Sequence, residues 1–264
     1  AAGVRAINRN FINTATGSTQ TLGGFDAGAK TFSGNINLST AGLILTATTG
    51  GDTTFSGTIS GAFGITKNGN GTLILSGANT YTGATSVSAG ILNIQNANAL
   101  GSTSQLVLNS GTLVNNSGGA ITLSRNPLIG FTGSFTLGSA AQAGTAGDIH
   151  FGTGAVSLNS NRTLTLNGAS VYTFGGLMTN TNGVNNSTFT INNGAGATAA
   201  TGIIFSGGLE LGNSTTNNGV NFSGSANVLV SGEIKNGPGT VVVGTNRTLA
   251  YTGTGVLTLS GTNT

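Results

Sequence analysis

The chain has 264 residues, of which only 13 are charged, with a formal net charge of +3, and 47 are glycine against 2 proline. A 37% apolar fraction with almost no charge excludes disorder, and the glycines lack the three-residue period of collagen. Eight cations scattered along the sequence form no basic patch, so no nucleic-acid partner is expected. Cysteine is absent, which rules out disulfides and thiolate metal sites. The longest apolar runs are three residues, as in Leu43-Ile44-Leu45 and Val241-Val242-Val243, so neither a transmembrane helix nor a signal-peptide core is visible. The chain is expected to be mature or cut from a longer one.

In chain order, the recurring element is a short alternation of apolar and polar residues. It occurs at Ile36-Asn37-Leu38, Leu73-Ile74-Leu75, Leu106-Val107-Leu108 and Leu164-Thr165-Leu166. It returns at Phe189-Thr190-Ile191, Leu209-Glu210-Leu211, Val228-Leu229-Val230 and Leu257-Thr258-Leu259. A period of two predicts strands of three to five residues with one buried face, and no window carries a helical stripe. Asn-Gly pairs begin at Asn68, Asn70, Asn167, Asn182, Asn193, Asn218 and Asn236. Both residue types tolerate positive φ, so these pairs are expected at corners. The fold class is all-β.

A second marker separates a sandwich from a solenoid. Phe followed by Gly within two residues occurs at Phe32, Phe55, Phe131, Phe151, Phe174, Phe205 and Phe222, with steps of 23, 20, 23 and 17 among them. Asn161-Arg162-Thr163-Leu164 returns 85 residues later as Asn246-Arg247-Thr248-Leu249, about four such steps. Steps of this size predict a parallel β-helix of about 12 turns over 1–264, a rod on the order of 60 Å long.

One unit repeats more closely. Gly71-Thr72-Leu73-Ile74-Leu75-Ser76-Gly77-Ala78-Asn79-Thr80 lines up with Gly255-Val256-Leu257-Thr258-Leu259-Ser260-Gly261-Thr262-Asn263-Thr264 at seven of ten positions. The first copy continues through Tyr81, Gly83, Thr85 and Val87 to an Ala99-Leu100-Gly101 corner. Thr264 is where the first copy goes on, so the chain is expected to be a fragment. The passage from 71 to 101 closely resembles the autotransporter-associated β-strand repeat, also called the passenger-associated transport repeat, with 255–264 as a partial second copy. Its motif residues are Gly71, Leu73, Leu75, Gly77, Asn79, Thr80, Tyr81 and Gly83, then Gly255, Leu257, Leu259, Gly261, Asn263 and Thr264. The resemblance implies a right-handed parallel β-helix on the surface of, or secreted from, a Gram-negative-type bacterium. It also implies export through an outer-membrane β-barrel translocator.

Catalytic chemistry has little material here. The five carboxylates are Asp26, Asp52, Asp148, Glu210 and Glu233. Asp148 and His150, at i and i+2, are expected on one strand face as solvated neighbours rather than as an acid–base pair. One His and no Cys make no zinc site, and Gly147-Asp148 stands alone where a calcium roll needs an Asp in every turn. Lys67-Asn68-Gly69-Asn70-Gly71 runs into a strand and is expected as a corner, not a phosphate loop. Tyr81 is expected to be packed at a corner, with Tyr251 the other tyrosine weighed as a sugar-stacking surface. Phe32, Phe55, Phe205 and Phe222 are expected to stack in the core, and Arg162 and Arg247 to stay solvated. Thr163-Leu164-Thr165 lacks the regular register of an ice-binding face.

No cofactor or metal is therefore expected. The expected function is a non-catalytic structural or adhesive module, contacting a host or neighbouring cell surface. The alternatives are a subunit of a filament or sheath, self-associating through its ends or laterally, and a polysaccharide-degrading β-helix enzyme.

Overall fold

The computed structural model describes residues 5–14, 19–142, 144–181, 187–211, 219–235 and 248–262. All strand pairs among them are parallel, and no α-helix occurs among them. Successive turns contribute one strand each to a first sheet of 11 strands, from Arg5–Ile7 to Leu249–Tyr251. A second sheet stacks 10 strands from Gln20–Gly23 to Ile234–Lys235. The third face carries two shorter sheets. Phe11–Asn13, Ile36–Leu38 and Ile59–Gly61 form one, and six strands from Ile121–Thr122 to Leu257–Leu259 form the other. The result is a three-faced β-solenoid with 11 stacked strands in its longest sheet, against the 12 turns expected.

Between the two sheets of the third face the backbone leaves strand geometry but not the ladder. Thr80 N donates to Ile59 O at 2.8 Å, and Thr82 N to Gly61 O at 3.0 Å. On the next turn Ser102 N donates to Tyr81 O at 2.8 Å. Because the next turn supplies the partners, the backbone stays satisfied without regular strands.

Alternation sets the core. Leu73 and Leu75, Leu106 and Leu108, Leu164 and Leu166, and Phe189 and Ile191 all point inward and are buried. Register then stacks like on like: Leu73, Leu92, Leu113 and Leu137 follow one another up the first sheet. Phe32 and Phe55 are register partners whose ring centroids lie 4.7 Å apart with planes 9° apart, and Phe151 and Phe174 stack at 4.4 Å. Phe205 and Phe222 also stack, at 5.6 Å, although one lies on the third face and the other on the first.

That last pair corrects the spacing argument. The 23-residue steps from Phe32 to Phe55 and from Phe151 to Phe174 are single turns. The 20-residue step from Phe131 to Phe151 and the 17-residue step from Phe205 to Phe222 pass between faces. Turns vary from 19 residues, where Leu75 meets Ile94, to 33, where Phe189 meets Phe222. Three register steps lead from Arg162 through Phe189 and Phe222 to Tyr251, so an 85-residue offset spans about three turns rather than four. Asn246 and Arg247 lie outside the described residues, as do Val241-Val242-Val243 and the pairs at Asn182, Asn218 and Asn236.

The corners use Asn and Gly differently from the sequence expectation. Among the described residues every positive φ belongs to Gly, and no Asn adopts one. Asn instead reaches across turns. Asn10 Oδ1 accepts the Asn35 N–H at 2.8 Å, and Asn35 Oδ1 accepts the Thr58 N–H at 2.9 Å. Asn126, Asn161 and Asn167 cap Thr153, Thr188 and Ala195 in the same way.

Many glycines sit where one turn lies directly on the next. A Cβ at Gly57 would fall 2.2 Å from Gly34 O, one at Gly77 would fall 2.2 Å from Gly57 O, and one at Gly176 would fall 1.8 Å from Gly154 O. Gly176→Ala is expected to lower stability by about 2 kcal/mol or more in chemical denaturation, because backbone must move to admit the methyl group. Gly119→Ala, which meets nothing within 4 Å, should leave the midpoint within experimental error.

Candidate functional site

The first repeat copy starts on the first sheet with Thr72–Leu75 and turns at Ser76-Gly77. Leu73, Leu75 and Tyr81 are fully buried, and Asn79 is nearly so. Asn79 works as a clamp between turns. Its Oδ1 accepts the Ile59 N–H at 2.8 Å, and its Nδ2 donates to Ala99 O at 2.6 Å. Tyr81 shares a 2.7 Å hydrogen bond with Thr85 Oγ1, which reaches Thr103 Oγ1 at 3.1 Å, and Thr103 in turn donates to Gly83 O at 2.9 Å. Burial pushes the Tyr81 phenol above its ordinary value, with the Thr85 bond opposing. Gly71 and Gly83 meet backbone of the preceding turn, at Thr48 O and Gly64 N. The motif therefore bridges two turns where the third face has no regular strand, and Tyr81 presents no ring to a sugar. Thr80 is exposed there.

The second copy lies on a different face. Leu257–Leu259 belongs to the third face, whereas Leu73 and Leu75 belong to the first sheet. Gly255 and Gly261 keep the same close approach, to Ala226 O and Gly232 O at 2.2 and 2.0 Å. Leu257 packs on the core and Leu259 is largely exposed. Asn263 and Thr264 lie outside the described residues. Tyr251 is half-buried beside its register partner Phe222.

Asp148 and His150 are separated by their environments rather than paired. Ile149 between them points into the core, and His150 lies half-exposed between Thr122 and Thr173. Asp148 is not solvated: it is buried at a corner, where Oδ1 accepts the Val171 N–H at 2.8 Å. Its backbone oxygen accepts from Asn115 Nδ2 at 2.9 Å. Arg162 likewise is a corner clamp rather than a free cation, donating from Nε to Phe131 O at 3.1 Å and from Nη2 to Asn159 Oδ1 at 2.9 Å. No group of three His, Cys, Asp or Glu residues able to hold a metal occurs among the described residues.

Two lysines occupy inward positions that the sequence reading passed over. Lys67 stands in register between Leu45 and Val87 and is fully buried. Its Nζ donates to Asn68 O, Gly69 O and Ala89 O at 2.9, 2.7 and 2.9 Å, so three corner carbonyls solvate the ammonium. Lys30 does the same near the first turns, donating to Gly28 O and pairing with Asp26, whose carboxyl is held below its ordinary value chiefly by that bond. The Lys67-Asn68-Gly69-Asn70-Gly71 stretch is thus the corner expected of it.

The outer face of the second sheet carries a cleft of about 420 Å³ lined by Gln105, Leu128, Ser157, Thr179, Thr181 and Glu210. Gly130 lies in the outward column between Val107 and Ser157, where a Cβ would stand 3.3 Å from Gln105 Nε2. Glu210 points outward in that column yet is only 8% exposed. This cleft offers one carboxylate and several hydroxyls, which can hold a polar ligand but supply no second carboxylate for hydrolysis.

Comparison with known proteins bears on this arrangement. The family model for the passenger-associated-transport-repeat matches residues 65–94 and 249–264. Those intervals open earlier than the motif itself, taking in the strands Ile65–Asn68 and Leu249–Tyr251. Among curated proteins the chain is 38% identical over 162 residues to the adhesin BmaC autotransporter of Brucella suis biovar 1 (strain 1330). That match covers 57% of this sequence and 4% of the relative, so the chain spans a small part of the protein it resembles. No solved structure matches it.

Two measurements check the site. Asn79→Ala leaves the Ile59 N–H and Ala99 O without their partner and is expected to cost about 2–4 kcal/mol in denaturant unfolding. Burial pushes the Lys67 ammonium down to about 8, so between about pH 8 and its ordinary value of 10.5 the unfolded state binds more protons than the folded one. Stability contributed through Lys67 therefore rises with pH across that window. Thermal melts should show wild type gaining on Lys67→Met as pH rises from about 8 to about 10; a constant difference would contradict the assignment. Motif, parallel register and relative agree: the chain is a β-solenoid that matches the passenger-associated-transport-repeat over 65–94 and 249–264 and is similar to a small part of an autotransporter adhesin.

Proposed function

We propose that the chain is a stalk and adhesive segment of a larger passenger, displayed outside a Gram-negative-type outer membrane and carrying no catalytic centre. The observation that supports this most is the parallel register of the first sheet, carried from turn to turn from Arg5–Ile7 to Leu249–Tyr251. Each turn adds the same interface, so length is gained without a new kind of contact, as a stalk requires. The low charge and the Thr, Asn and Ser surface suit contact with another surface at close range. The relative's name describes an adhesin, which agrees with this role.

Polysaccharide cleavage is the weaker reading, because Asp148 spends its carboxylate on the Val171 N–H and the second-sheet cleft holds Glu210 alone. Asp148→Asn should therefore leave any polysaccharide-degrading activity of the preparation unchanged. Export through an outer-membrane β-barrel, with folding outside the cell, completes the proposal. A filament or sheath built from this protein would instead form concentration-dependent fibres in electron microscopy, where isolated rods are expected.

The deciding experiment fuses the protein to an outer-membrane β-barrel translocator and expresses it in a Gram-negative host. Protease accessibility on intact cells and cell attachment to host-cell monolayers are then compared with the barrel alone. Accessible protein and increased attachment are expected. Attachment equal to the barrel alone would remove the adhesive role, and failure to reach the surface would remove the display role.

A further inference from the structure

Four Asn-Gly pairs lie among the described residues, and three of them spend the glycine N–H on another turn or corner. Gly71 N donates to Ala47 O at 2.9 Å, Gly168 N to Ala195 O at 2.9 Å and Gly194 N to Leu166 O at 2.7 Å. Gly69 differs. Its N–H donates at 2.8 Å to the carboxamide oxygen of Asn68, the residue before it. The side group of Asn68 is thus folded onto the one nitrogen able to attack it, and the residue is exposed to water. The same corner carries the buried Lys67 ammonium, which donates to the Asn68 backbone carbonyl at 2.9 Å. Its other partners are the carbonyls of Gly69 and Ala89, so its hydrogen bonds include no carboxylate.

We propose that Asn68-Gly69 is a site of spontaneous isoaspartate formation, with Lys67 directing the product. The Gly69 nitrogen gives its proton to solvent base and forms a bond to Asn68 Cγ. The bond from Cγ to Nδ2 breaks, ammonia leaves, and a five-membered succinimide results. Water then adds to one of the two ring carbonyls. Addition at the former backbone carbonyl gives isoaspartate, in which that carbonyl becomes a free carboxylate and the backbone runs through Cγ. Addition at Cγ gives aspartate. Nothing is oxidised or reduced, and water is the only co-reactant.

Lys67 touches one of these two carbonyls. A charge-assisted hydrogen bond to the Asn68 backbone oxygen draws electron density from that carbon and favours addition there. The product carboxylate forms against an ammonium that was solvated by carbonyl dipoles, which offsets part of the cost of the buried charge. The other pairs lack both features. Their glycine nitrogens are held in hydrogen bonds to backbone carbonyls, and Asn167 has its carboxamide oxygen engaged by Ala195 N–H.

The test incubates the folded protein in neutral buffer, where Lys67 keeps its proton, and follows each Asn-Gly pair by peptide mapping with electron-transfer fragmentation, which separates isoaspartate from aspartate. The same protein in denaturant is the reference. Residue 68 is expected to convert several-fold faster than 70, 167 and 193 in the folded state, with that preference lost in denaturant. Conversion at 68 no faster than at the other three in the folded state would overturn the proposal. Lys67→Met, checked for folding by circular dichroism, should lower the ratio of isoaspartate to aspartate at 68. Lys67→Gln, which keeps a donor without the charge, serves if the methionine variant does not fold. An unchanged ratio in the folded variant would remove Lys67 from the mechanism.

Discussion

Each turn of this solenoid rests on the turn before it, and the contact runs through the corners as well as the strands. Strand residues satisfy their backbone in the ladder by default. Corner residues have no such guarantee, because a loop buried between two turns cannot reach water for every polar group. Asparagine side groups supply the missing acceptors, as Asn10, Asn35 and Asn161 show. Glycine supplies the missing space, as at Gly57, Gly77 and Gly176. The abundance of both residues follows from the stacking geometry alone, with no ligand required.

The same constraint explains charged groups in an otherwise apolar interior. Lys67 occupies a position flanked in register by Leu45 and Val87, yet its stem reaches a corner where carbonyls converge. Asp148 is the opposite case, a carboxylate turned onto a backbone N–H of the next turn. Both are structural uses of charge. An ionisable group near a corner is drawn onto the backbone groups that its own corner and the neighbouring turn leave open.

The repeat motif gains its meaning from this frame. In the first copy the Asn79 side chain and the Tyr81 backbone join turns across a stretch of the third face without regular strands. The second copy sets its Leu-x-Leu segment on the third face rather than the first sheet. The shared element is the glycine-bounded segment lying on the preceding turn, since Gly71, Gly77, Gly255 and Gly261 all approach backbone oxygen closely. A motif of this kind specifies how a segment rests on its neighbour more than which face it occupies.

Much of this was legible in the residues themselves. Alternation located the strands at Leu73-Ile74-Leu75 and Phe189-Thr190-Ile191, because a two-residue period has only one common structural meaning. The motif carried the resemblance that the family model matches, and the Phe-Ser-Gly units carried the core stacking. Turn length was not legible. Corners vary while the register does not, so Phe131 and Phe151 resemble repeats of one another yet stand on different faces. Nor were the partners of Asp148, Arg162 and Lys67 legible, since each bonds backbone from outside its own strand. Sequence by itself determined which residues face inward, because that depends on neighbours one and two positions away. Only the tertiary structure decided what each polar side group does, because its partner belongs to a turn some 20 to 30 residues distant.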